Sequence, residues 1–230
     1  MSRVLVPVEV LAGESVGAGL ADLLSTVDVT VLGYHVLPEQ TPPDQAREQF
    51  EDRAVAALED VVAEFRTAGG AADARLVFTH DRERTVDRVA EDVGARASVI
   101  NGATGEVERL LVPLSGDVAV DRMLRFVEEL VGGRDIGVTL FLASESEVAG
   151  DRLERAATQL REAGIETTTE LVIAGRPFEA LVDLGPGHDA IVMGESAPSL
   201  SGFPLGEESE RLAAAVGPVL VLRYLEGLDG

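Results

Sequence analysis

Arg109-Leu110-Leu111-Val112-Pro113-Leu114 restates Arg3-Val4-Leu5-Val6-Pro7-Val8, with the same leading charge, the same proline and the same aliphatic run. Short β-branched runs of this kind alternate along the chain with longer segments of helical period, which is the pattern of a parallel sheet with crossover helices. The echo extends to Val138-Thr139-Leu140 against Val29-Thr30-Val31, and to Asp151-Arg152 against Asp52-Arg53. Self-similarity at roughly half the chain length marks a duplicated α/β unit and not a solenoid. The predicted fold class is therefore α/β, with two tandem open parallel-sheet, Rossmann-like units carrying helices on both faces, at residues 1–105 and 106–230.

Working outward from the first run, the sequence predicts strands at Val4 to Val8, Val29 to Tyr34, Arg75 to Phe78 and Ala97 to Ile100. Helices are expected at Val16 to Leu24, Asp44 to Ala68 and Thr85 to Val93, the second with Ala54, Leu58, Val61, Val62 and Phe65 at core spacing and Gly69-Gly70 as its stop. The halves meet near Gly105 and are unequal. After its fourth strand, Ala190 to Met193, the second half continues through a Gly/Pro/Ser loop, a helix from Gly206 to Val216 and a last strand, Val219 to Arg223. The first half passes from Asn101 straight into Glu106-Val107-Glu108 and is expected to lack that closing loop, helix and strand.

Of 230 residues, 46% are hydrophobic and 26% charged, which speaks against a disordered chain. The 41 acidic residues outnumber 19 basic ones, giving a net charge of −22, and every basic residue is arginine. Such a field repels phosphate backbones and anionic headgroups, so nucleic acid and bare membrane surfaces are poor partners and neither is expected. Dispersed carboxylates without lysine fit a halophilic protein, because screening over roughly 3 Å at about 1 M salt removes the repulsion. Zero cysteine excludes disulfides and thiolate metal sites. The N-terminal apolar stretch is too short for a signal peptide, and Leu212 to Leu222 is broken by Gly217-Pro218 and too short to span a bilayer. A cytoplasmic location is the resulting expectation.

Beyond periodicity, the second half resembles the universal stress proteins. The likeness rests on Arg109 to Leu114 as opening strand, on Gly175-Arg176-Pro177-Phe178-Glu179-Ala180-Leu181, on Asp189-Ala190-Ile191-Val192-Met193-Gly194 and on Gly217-Pro218-Val219-Leu220-Val221-Leu222-Arg223. In the first half it rests on the opening strand and Tyr34-His35-Val36. The resemblance implies a tandem universal-stress-type protein with a truncated first repeat, and a nucleotide held at the carboxyl ends of the strands.

Nucleotide-binding members of that family carry Gly, two residues, Gly, nine residues, then Gly and a hydroxyl residue after the fourth strand, where backbone N–H groups and a helix N-terminus meet phosphate. Gly194 fits the first position. Ala197 replaces the second glycine, Gly206 arrives one residue early, and Glu207 stands where a hydroxyl is expected. The acidic residue expected after the first strand is Ser115 in the second half and Glu9 in the first. Ser115, Gly194, Ser196, Ser201, Gly202 and Gly206 are the candidate ligand-binding residues. ATP is disfavoured, since a carboxylate about 5 Å from a phosphate charge costs roughly 3 kcal/mol at an effective dielectric near 20. Glu207, Glu208 and Glu210 are read as satisfying the dipole of their own helix.

His35, His80 and His188 are widely separated and are expected as loop-end polar residues, not metal ligands. Gly13, Gly17 and Gly19 lack dinucleotide-fingerprint spacing and are read as loop and packing residues. Neither Val8 to Ser15 nor Leu114 to Asp121 carries the loop of an adenylate-forming or pyrophosphatase enzyme. The expected function is non-enzymatic, by partner or small-ligand binding, with an ATP- or AMP-binding stress switch as the alternative. The apolar strand Val219-Leu220-Val221-Leu222 is an expected association edge, covered either in a homodimer or by the first half in an intramolecular pseudo-dimer.

Overall fold

A computed structural model describes residues 1–114, 120–144, 146, 148–172, 177–195 and 207–223. In the first half β1 (Arg3–Glu9), α1 (Ala18–Leu23), β2 (Asp28–Val36), α2 (Pro43–Thr67), β3 (Ala71–Thr79), α3 (Arg82–Val93) and β4 (Ala97–Ile100) alternate. The second half continues with β5 (Arg109–Pro113), α4 (Val120–Val131), β6 (Gly137–Ala143), α5 (Ala149–Glu162), β7 (Thr167–Val172), α6 (Pro177–Leu184), β8 (Ala190–Gly194), α7 (Glu207–Ala215) and β9 (Val219–Leu222). The two echoing runs are β1 and β5.

Local chemistry sets the boundaries. Proline in the first turn opens α2, and the backbone N–H of Gly70 closes it on Phe65 O. The Asp81 carboxylate accepts the Arg84 N–H at the start of α3, and Gly94, at φ +64°, ends that helix in the left-handed region. The expected helix at Val16 to Leu24 is a six-residue α1 followed by a 3-10 turn at Leu24–Thr26. β3 is longer than its apolar pattern, because its first half pairs with β2 while Ala71, Asp73, Ala74 and Arg75 stay exposed.

The described strands form one nine-stranded sheet in the order β3-β2-β1-β4-β9-β8-β5-β6-β7. Pairing is parallel within each half: β1 lies between β2 and β4, and β5 between β6 and β8. Between the halves it is antiparallel, with Ala97 opposite Leu222 and Ile100 opposite Val219. The apolar strand therefore has β8 on one side and β4 of the same chain on the other. Of the two expected coverings of Val219 to Leu222, the chain uses its own first half. A homodimer through this strand is displaced, because both rows of its backbone groups are already paired.

Alternating side chains fill two cores. Val4, Val6 and Val8 pack with α1, α2, α4 and α5 on one face, while Leu5, Leu32, Ile191 and Val221 pack with α3, α6 and α7 on the other. Ion pairs and close backbone approaches then join the halves. Arg223, with a side chain only 9% exposed, reaches Asp87 at 2.6 Å and Glu91 at 3.7 Å on α3. Arg134 donates to Leu23 O at 2.8 Å and pairs with Asp22 at 3.3 Å beside α1. A Cβ added to Gly19 would lie 1.5 Å from Gly105 O, so the packing role read for Gly19 is a requirement for no side chain at all. No helix of the described residues is long and apolar enough to cross a membrane.

Candidate functional site

Open parallel sheets bind ligands beyond the carboxyl ends of the strands, where the strand order reverses direction. This sheet has such a point in each half, beside β5 in the second and beside β1 in the first. In the second, Leu114 N–H donates to Phe141 O at 2.7 Å, Gly194 is buried, and Glu195 N–H donates to Leu222 O at 2.9 Å. Ser115, Ser196, Ser201, Gly202 and Gly206 lie outside the described residues, as do Ala197 and the Gly175-Arg176 turn. Gly194 is thus the one sequence-derived site residue placed, at the end of β8 and against the last strand. Asp189, quoted in the same motif, serves the fold instead. Its Oδ2 accepts the N–H groups of Glu108 and Arg109, each at 2.9 Å, and fixes the start of β5.

The first-half point holds a crevice of about 480 Å³ that the sequence did not single out. Glu9 ends β1 directly opposite Tyr34 on β2. The following loop folds back on Glu14, whose carboxylate accepts Glu9 N–H at 2.6 Å and the Asn101 amide at 3.0 Å. Asn101 leaves β4 and also donates to Pro7 O at 2.7 Å, which locks the ends of β1 and β4 together. Arg82, in the first turn of α3, lies over the Tyr34 ring with its guanidinium carbon 5.6 Å from the centroid. The remaining wall comes from the second half, where α7 contributes Glu210, Ala213 and Ala214. Glu210 accepts a hydrogen bond from Arg82 at 2.9 Å. The carboxylate read as belonging to its own helix dipole is therefore tied to a guanidinium of the other half.

Electrostatics at this crevice are uneven. Burial pushes the Tyr34 hydroxyl up to about 12; Arg82 pulls the other way, and Glu14, Glu9 and Glu210 add to the rise, so the phenol stays neutral. Burial works against the Arg82 charge, but Tyr34 once ionised, together with the hydrogen bond and charge of Glu210, outweighs it and holds the guanidinium above its ordinary value. Arg82 Nε and Asn101 Oδ1 are buried with no hydrogen-bond partner, one a donor and the other an acceptor. The lining thus offers three carboxylates against one paired guanidinium, together with unused hydrogen-bonding capacity. It suits a compact polar molecule of neutral or positive charge better than a polyphosphate.

The histidines stay apart. His35 is inside β2, contrary to its reading as a loop-end residue, because its ring is wedged edge-on to Phe50 and Phe78 at 6.1 and 6.3 Å. His80 Nε2 lies 3.0 Å from Thr41 O, and His188 Nε2 lies 2.8 Å from Thr139 Oγ1. No group of three metal-ligating side chains converges among the described residues. A larger groove of about 740 Å³ runs past Asp22, Glu108, Arg134 and Glu166, but it lies at the amino ends of β5 to β7, the wrong end of such a sheet for a ligand.

Comparison with known proteins gives the fold a relative. No family model matches the chain, and no curated protein matches its sequence. Among solved structures, a universal stress protein from Archaeoglobus fulgidus DSM 4304 superposes on 97% of this chain and 97% of its own, with a TM-score of 0.70 and 17% identity. A putative universal stress protein from Pseudomonas aeruginosa UCBPP-PA14 covers 97% of this chain and 93% of its own, with a TM-score of 0.52 and 15% identity. The cytoplasmic domain of a prokaryotic cation chloride cotransporter covers 96% and 95%, with a TM-score of 0.54 and 12% identity. At such identities the likeness carries the fold and nothing finer: the architecture is the α/β, Rossmann-like architecture of the universal stress proteins.

Proposed function

We propose that this chain is a non-enzymatic stress-response or regulatory protein of universal-stress type, acting by binding a small polar ligand or a partner and not by binding ATP. In this reading residues 1–105 are a truncated first repeat and 106–230 a complete second one. The strand orders support it: in each half the first strand lies inside, its second and third strands run outward, and the fourth lies on the inner side. The net charge of −22 supports a salt-rich cytoplasmic setting and argues against nucleic acid and membrane partners.

The observation that carries the choice of ligand class is the state of Arg82. The crevice has one described guanidinium on its lining, and Glu210 already holds it, while Glu9 and Glu14 add further negative charge. The alternative, an ATP- or AMP-binding switch, draws on Glu9 at the end of β1, where the family resemblance puts a ribose contact. Native mass spectrometry of protein purified in high salt separates the two. A retained non-nucleotide of low charge is the expected result, and stoichiometric ATP or AMP would replace this reading with the switch.

A further inference from the structure

We infer that Glu210, supplied by the second half of the chain, is the specificity-determining residue of the first-half crevice: by holding Arg82 it bars small oxyanions from the guanidinium that would otherwise receive them. The inference rests on the reading of that crevice as a ligand site and says which ligand charge it refuses, and by what device.

Two independently anchored elements meet at this pair. On one side, Arg82 follows Thr79 and Asp81, whose hydroxyl and carboxylate build the start of α3: Thr79 Oγ1 lies 2.7 Å from Thr85 Oγ1, and Asp81 caps Arg84 N–H at 3.0 Å. The Tyr34 ring lies beneath the guanidinium. On the other side, α7 leads into β9, which is paired along both edges, and the backbone of Gly217 sits where a Cβ on Gly102 would meet it at 2.5 Å. Neither element needs the ion pair to hold its backbone in place, so the pair is free to serve the crevice. Its side chains are 33% and 49% exposed, which makes its contribution to folding small. Its effect on an incoming anion is separate and direct. An oxyanion reaching Arg82 finds the Glu210 carboxylate already on Nη1 at 2.9 Å, and must either displace this group, held in the same chain at high effective concentration, or sit beside its negative charge. Glu9 and Glu14 then oppose the same anion from the strand side.

Phenylglyoxal labelling of the full chain in high salt, with peptide mass mapping, tests this. In wild-type protein Arg82 should react slowly, and in Glu210→Gln at least about fivefold faster, since the neutral amide is a weaker partner than a carboxylate. Inorganic phosphate should then protect Arg82 in Glu210→Gln and leave its rate in wild type unchanged. Glu154→Gln, which removes the partner of the remote Arg161, is the control and should leave Arg82 slow. Equal Arg82 rates in wild type and Glu210→Gln would overturn the inference, as would equal protection by phosphate in both, or a faster variant that phosphate does not protect. If Glu210→Gln disturbs the fold, Glu210→Asp with the same phosphate series gives the same decision, because a shortened carboxylate still bars the anion less well. These readouts need no natural ligand. Failure to find one leaves the labelling result standing, whereas a labelling failure removes this inference alone.

Discussion

Tyr34 is where sequence, burial and charge meet most tightly. It is 3% exposed, it faces three carboxylates and it lies beneath Arg82. Its folded value of about 12 stands above the ordinary value of 10.0, so folding favours the neutral phenol. The contribution is complete below pH 10 and is lost as pH rises through about 12. Denaturation midpoints in high salt should therefore fall between pH 10 and pH 12, and Tyr34→Phe, which keeps the ring under Arg82, should flatten that fall. An unchanged fall in the variant would mean that another group titrates. Tyr34 was visible in the sequence only as part of the Tyr34-His35-Val36 resemblance. Its neighbours were visible for other reasons: Glu9 as the acidic residue after the first strand, Asn101 as the exit from the fourth, Glu210 as a helix-start carboxylate. Nothing local links Arg82 to Glu210 across 128 positions, so the site had to be seen folded.

At the scale of elements, the clasp on α3 is the feature most open to test. Arg223 sits at the end of β9 almost wholly buried, with Asp87 at 2.6 Å, so removing it leaves a half-buried carboxylate without its partner. Arg223→Met should destabilise the protein by about 2–3 kcal/mol in chemical denaturation, toward the low end for buried pairs because Asp87 retains some contact with water. A change below about 0.5 kcal/mol would show that β9 holds to the first half by strand pairing alone. The strands themselves were legible wherever both faces are buried, as in β1, β4, β5, β8 and β9, because an uninterrupted aliphatic run has few other homes. The front of β3 was not, since Ala71, Asp73, Ala74 and Arg75 face solvent and carry no apolar period. The short α1 also fell short of its reading: it starts at Ala18 and gives way to a 3-10 turn at Leu24. Covering of β9 by the first half was one of two coverings open to the sequence, and its antiparallel pairing with β4 was not legible there. The choice between them depends on the chain reaching back over its own first half.

Across the whole molecule, charge decides conditions and ligand alike. With a net charge of −22 and no lysine, lowering salt lengthens the screening distance to about 30 Å at 0.01 M and lets carboxylates repel across the molecule. The melting temperature should climb from dilute buffer to molar potassium chloride; a flat profile would remove the halophilic reading. The same excess of carboxylates gathers at the first-half crevice, where the one described guanidinium is already paired with Glu210 through Nη1. Calorimetric titration with Mg-ATP in molar potassium chloride tests that account most directly. It predicts no saturable heat in the micromolar range, because Glu9, Glu14 and Glu210 face any phosphate that approaches the first-half crevice. One site per chain with a dissociation constant at or below about 1 μM, equivalent to roughly 8 kcal/mol of binding free energy, would contradict it.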